Sequence, residues 1–117
     1  MDKSQITNKL IALIKNNPNG FTASQQGKLL NLKSGYAVSL TNNKHKDINK
    51  LVNRALSICK NYNNYYFGGW FDSKNKNYYL DISLIIPDKQ TALNLANNFK
   101  QLAIFDFKTL NTINLLK

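Results

Sequence analysis

Residues 47–62 carry the strongest periodicity in the chain: Ile48, Leu51, Val52, Ala55, Leu56 and Cys59 recur at i, i+3, i+4, i+7, i+8 and i+11. That spacing is one continuous apolar stripe and predicts a helix over Asp47–Tyr62. Residues 4–16 place Ile6, Leu10, Leu13 and Ile14 on one helical face, with Asp2 or Ser4 as N-cap and Asn17-Pro18-Asn19-Gly20 as the stop. A third helix starts at Pro87-Asp88 and turns Ala92, Leu95, Ala96 and Phe99 inward.

Between the helices the period changes to two. Phe21–Ser24, Lys28–Leu32 and Gly35–Leu40 read as three short strands in a hairpin or meander, and Asn42-Asn43-Lys44-His45 as a polar loop. Tyr65–Asp72 and Asn77–Ile86 are joined by Ser73-Lys74-Asn75-Lys76, a natural hairpin connection. Along the second of these, Tyr78, Leu80, Ile82, Leu84 and Ile86 point one way and Tyr79, Asp81, Ser83 and Ile85 the other, as in a strand buried on one face. Gly68-Gly69 suggests a bulge or a close approach by another backbone. Ala103–Phe107 is a further strand, and Leu110–Lys117 either adds an edge strand or frays. The expected architecture is a single α+β domain over residues 1–117, in the order α-β-β-β-α-β-β-α-β. It has three helices on one face of a mainly antiparallel sheet of about five to six strands.

Length and composition agree with one packed core: 117 residues, 43% apolar, with six Tyr, six Phe and one Trp. No run is long enough to span a membrane. The opening Met1-Asp2-Lys3-Ser4 leads into an amphipathic helix rather than a signal or transit peptide, and the lone Cys59 fits a reducing compartment. A cytoplasmic location is expected. Charge adds the first functional information. The net charge is +10, there is no Glu, and the first 60 residues hold ten Lys/Arg against two Asp while residues 61–117 hold six against four. A one-sided basic surface calls for an anionic partner, and for a small protein nucleic acid is the commonest.

On a helical wheel Lys46, Lys50, Asn53, Arg54, Ser57 and Lys60 lie opposite the apolar stripe of the second helix. Lys46, Lys50 and Arg54 stand at successive i+4 positions, a repulsion of roughly 0.2–0.5 kcal/mol per pair that an anion would relieve. The plain alternative is a solvated lysine face in an Asn/Lys-rich composition. Among Tyr62, Tyr65, Tyr66, Phe67, Trp70, Phe71, Tyr78 and Tyr79, alternation sends about half inward; Trp70 is expected in the core and Tyr79 on the surface, beside Lys74 and Lys76 of the hairpin tip. The candidate contact residues are Lys28, Lys33, Lys44, Lys46, Lys50, Arg54, Lys60, Lys74, Lys76 and Tyr79. There is no ribonucleoprotein signature and no zinc-finger spacing.

The inventory argues against catalysis. One His, one Cys and no Glu leave no Cys/His metal cluster and no Glu-dependent acid–base pair. A Cys59–His45 dyad would have to bridge most of a helix, and Asp72, Asp81 and Asp106 are the only acids that could converge on a divalent cation. No metal or cofactor is called for.

Gly68-Gly69-Trp70-Phe71-Asp72, Tyr78-Tyr79-Leu80-Asp81-Ile82-Ser83, Ala92 with Leu95-Ala96, and Gln101 followed by Ala103-Ile104-Phe105-Asp106 resemble a set of small uncharacterised proteins encoded by phages, plasmids and integrated elements. The resemblance covers about a third of the chain and brings no catalytic residues with it. It implies a mobile-element origin, and proteins of that origin often act against host defences, as anti-restriction or anti-CRISPR inhibitors. At +10 the chain cannot mimic DNA, so an inhibitor of this charge would contact guide RNA, bound DNA or an acidic patch of the effector. The leading expectation is therefore a non-enzymatic inhibitor of a host defence nuclease such as a CRISPR effector, acting on the complex or its nucleic acid through the basic helix face. The alternatives are a general DNA- or RNA-binding accessory protein and a small Asp-based metal-dependent hydrolase.

Overall fold

The computed structural model describes residues 2–115. Within them the elements run α1 (Lys3–Asn16), β1 (Phe21–Ala23), β2 (Leu29–Leu30), β3 (Tyr36–Ser39), β4 (Lys44–His45), α2 (Ile48–Cys59), β5 (Tyr66–Asp72), β6 (Asn77–Ile86), α3 (Lys89–Asn98), β7 (Ala103–Asp106) and β8 (Asn111–Asn114). The class is α+β, with three helices and eight strands rather than five to six. Lys44–His45, read from its polarity as loop, is a short strand on β6, and the C-terminal segment forms an edge strand over Asn111–Asn114; residues 116–117 lie outside the described residues.

Each helix begins on an aspartate that satisfies backbone N–H groups otherwise left without partners. Asp2 accepts from the Gln5 N–H while the Gln5 side chain accepts from the Asp2 N–H, a reciprocal capping box. Asp47 accepts from the Asn49 and Lys50 N–H groups, and Asp88 from the N–H and hydroxyl of Thr91. The α2 stripe is buried as its period requires: Leu51, Val52, Ala55, Leu56 and Cys59 pack with Leu10 and Ile14 of α1 and with Phe67, Leu80 and Ile82 of the sheet. A smaller cluster joins Ala92 and Ala96 of α3 to Val38 and Ile104.

All pairings are antiparallel, and the order across the sheet is β2-β1-β5-β6-β3-β7-β8. The expected meander is therefore broken: β1 and β2 form a hairpin, but β3 crosses to the far side of β6. On a flat sheet Leu30 and Tyr36 would lie about 25 Å apart, by strand spacing and rise. Six residues reach only about 21 Å, so the sheet has to curl for the 31–35 link to close. Two features allow the curl. One is a residue extra on the strand facing β6, whose register shifts by one between Ser39↔Ser83 and Lys44↔Tyr79. The other is the glycine pair of β5.

Those glycines are not bulged, since β5 stays in one register with β6 from Tyr66↔Ser83 to Asp72↔Asn77. The reason for a glycine is a close approach at Gly69, where a Cβ would stand 2.6 Å from the Phe21 ring and 2.9 Å from the Tyr79 carbonyl oxygen. Phe21 thus covers the gap on the helix side. Registers and core clusters place all three helices on one face of the sheet, with Leu80, Ile82, Val38 and Ile104 beneath them. The other face, carrying Thr22, Gly68, Trp70, Tyr79, Asp81, Ser83, Ala37 and Phe105, has no helix over it.

Candidate nucleic-acid interface

Four of the candidate basic residues, Lys44, Lys46, Lys74 and Lys76, lie at the end of the molecule where β5 turns into β6. The Lys46 ammonium donates to the Asn75 carbonyl at 2.6 Å, tying the segment before α2 to the hairpin turn that carries Lys74 and Lys76. The turn is closed by Asp72, which accepts from the N–H groups of Lys74 and Asn75 and from the Asn75 side-chain amide. These bonds, the Asn75 amide first, hold its carboxyl below the usual carboxylate range. Lys44 stands opposite Tyr79 in the ladder with its ammonium 6.0 Å from the ring centroid. Tyr79 in turn stacks on Trp70, with centroids 4.5 Å apart and planes within 10°.

Trp70 is the correction here. Expected in the core, it is 44% exposed, because its register with Tyr79 puts it on the helix-free face. The result is an exposed aromatic step bordered by Lys44, Lys46, Lys74 and Lys76, the combination that single strands engage by stacking and phosphate contact.

The remaining candidates distribute differently. Lys46 is not part of the helix; Asp47 is the N-cap, so the i+4 series of Lys46, Lys50 and Arg54 does not run as one exposed helical stripe. Lys50 and Arg54 do face solvent on α2, and the only acid of that segment, Asp47, is engaged in capping. Lys60 caps the far end of α2, about 18 Å from its start at helical rise. Lys28 lies in the β1–β2 turn, where its N–H is bound by Ser24, and Lys33 in the 31–35 link. Neither belongs to an element that meets the hairpin tip. Lys3, Lys9 and Lys15, outside the candidate set, are exposed along α1 and belong to the same +8 balance of the first 60 residues.

The groups weighed for catalysis do not assemble. Asp72 is at the turn, Asp106 is on the helix-covered face of β7 accepting from the Lys108 N–H, and Asp81 is on the open face. No group of three or more metal-ligating side chains occurs among the described residues. Cys59 is buried against the Leu56 carbonyl and His45 accepts from the Asp47 N–H, with the length of α2 between them.

The open face is concave, a groove of about 650 Å³ walled by Asn31 and Leu32 on one side and by Phe107 and Leu110 on the other. Asp81 lines it. The register shift beside β6 interrupts the ladder, and Asp81 fills the break: its Oδ1 accepts from the Thr41 hydroxyl at 3.0 Å and from the Asn43 N–H at 2.9 Å. The Thr41 hydroxyl accepts from the Ile82 N–H, and the Asn43 amide donates to the Leu51 and Leu80 carbonyls. Burial outweighs these bonds and pushes the Asp81 carboxyl up to about 6.

Fold and surface together define a basic α+β protein with a helix-backed, open-faced antiparallel sheet and a cationic, aromatic hairpin tip. Comparison with protein-family models, curated proteins and solved structures returned no match. Among the described residues no helix is long and apolar enough to cross a membrane.

Proposed function

We propose that this is a non-enzymatic protein that binds nucleic acid through its hairpin tip, and that its target is the nucleic acid of a host defence nuclease, a CRISPR effector being the type. The observation that carries the reading is the Lys46–Asn75 bond, which unites lysines from two distant segments beside the exposed Trp70–Tyr79 step. Lys76 adds to it. Its φ of 60° is a backbone conformation that glycine or asparagine adopts at lower cost, yet the position carries a cation. The mobile-element resemblance supports the choice of target.

Binding of the whole chain to short single- and double-stranded DNA and RNA across a salt series tests this. Four to five engaged phosphates predict a log–log salt slope of about −3 on a single strand. Lys44→Glu/Lys74→Glu/Lys76→Glu should weaken the interaction about a hundredfold, whereas Lys50→Glu/Arg54→Glu/Lys60→Glu weakens it less. Capture by an assembled defence complex without affinity for free strands would place the contact on the loaded effector. Unchanged binding by a folded hairpin-tip variant, to strands and complex alike, would overturn the reading.

A further inference from the structure

We propose that the groove on the helix-free face is a second site, independent of the nucleic-acid reading, which binds a small organic cation: an amine whose ammonium meets Asp81 while its apolar body lies along the groove. Three observations converge on this. Among the described residues there are fifteen Lys and Arg, but none of them lines the groove, and Asp81 is the only charged residue of that described lining. Beside Asp81 the floor is built of small side chains, Gly68 directly opposite in register and Ser83, Ser39 and Ala37 around it, so the carboxylate is reachable from within the concavity. The carboxylate is also oriented: both protein hydrogen bonds fall on Oδ1, which fixes its plane.

Size and topology select a small molecule over a peptide. A volume of about 650 Å³ is in the range of small-ligand sites. An extended peptide gains affinity by adding to a strand edge, and the floor strands β1, β5, β6, β3 and β7 each have neighbours on both sides. Aromatic surface is at hand from Trp70 and Phe105 for an apolar or aryl body. The groups facing Asp81 are Gly68 on β5, Tyr79 and Ser83 on β6, and Thr41 and Asn43 on the β3–β4 link, with Lys44 farther out over the Tyr79 ring. Among the described residues no histidine or second carboxylate lines the groove, so Asp81 sets the pH response of that lining. It is ionised at neutral pH and protonated below about 6.

The test is amide NMR of the whole chain against a panel of aryl- and alkylamines, each matched by a carboxylate of the same skeleton; tryptamine and indole-3-propionate are one pair. Amines should shift the amides of Gly68, Ser83 and Ala37, and the matched acids should not. Asp81→Asn keeps an oxygen for Thr41 and Asn43 and should weaken amine binding at least tenfold. Gly68→Val should block the groove, because Gly68 lines it opposite Asp81 and a Cβ there meets nothing closer than Ser83 Oγ at 3.6 Å, so the added side chain is accommodated inside the groove. Acidifying the parent protein to about pH 5 should release the amine, a readout that needs no variant. The proposal is overturned if no amine shifts the groove amides at millimolar concentration, if the carboxylates bind as well, or if Asp81→Asn binds like the parent.

Discussion

The hairpin tip and the groove lie at the two ends of the Trp70–Tyr79 step, and they differ in every property that selects a ligand. The tip is cationic, with Lys74 and Lys76 in the turn, Lys46 bonded to it and Lys44 over the Tyr79 ring. The groove is concave and holds a single acid. A chain-level charge of +10 describes the first and misdescribes the second. The cause is the period-two alternation of β6, which sends Tyr79, Asp81 and Ser83 to one side and Leu80 and Ile82 under the helices, while the described lysines are all exposed, most of them on helices and in turns and links. Net charge identifies a class of partner and says nothing about how many surfaces a fold presents.

The sharpest way to separate the two faces is the glycine pair, neighbours in β5 that point in opposite directions. Gly69→Val drives a side chain into Phe21 and the Tyr79 carbonyl and should cost about 3 kcal/mol in urea unfolding, from overpacking. Gly68→Val should change stability by only about 0.5 kcal/mol while closing the groove, since ordinary contact distances surround it. Next in size is the hairpin-tip charge reversal, expected to weaken nucleic-acid binding about a hundredfold, roughly 2.7 kcal/mol, and to leave amine shifts in the groove intact.

Asp81→Asn probes the groove from the side of stability. The folded protein holds the Asp81 proton more tightly than the unfolded chain, with a pKa near about 6 against an ordinary value of 3.8. The contribution of this group is therefore most favourable below about pH 4, is lost as pH rises through about 6, and is a constant penalty on the order of 3 kcal/mol above that. Asp81→Asn should be the more stable protein at pH 7, with the gap closing toward pH 4 in parallel denaturation series. A gap that stays constant with pH would show that Asp81 is not the titrating group. The smallest effect expected is at Lys76: Lys76→Gly should stabilise by about 0.5–1 kcal/mol through relief of the left-handed backbone, and weaken nucleic-acid binding. Opposite signs in the two measurements would mark a position held for its charge.

Much of the fold was legible because its signals are local. The α2 stripe, the helix start at Asp88, the alternation of β6 and the Ser73–Lys76 turn each occupy one short window and stand where the sequence predicts them, and of the two caps open for the first helix, Asp2 and Ser4, the structure uses Asp2. Tyr79 was placed on the surface by the same alternation. Trp70 was misassigned because its face depends on its partner strand, and the pairing Trp70↔Tyr79 is a matter of register. β4 was missed because two polar residues carry no period at all, and only β6 makes them a strand.

What the sequence by itself determined, then, is where helices begin, which of their faces are apolar, which strand is amphipathic, and that most of the positive charge lies in the first 60 residues. Caps, periods and charge are properties of neighbouring residues, so they can be read in order along the chain. Tertiary structure decided the rest: the passage of β3 to the far side of β6, the union of Lys46 with Asn75, and the seating of Asp81 between Thr41 and Asn43 at the floor of a groove. Those contacts join residues about thirty to forty positions apart, and their geometry follows from a curled sheet whose shape no single segment encodes.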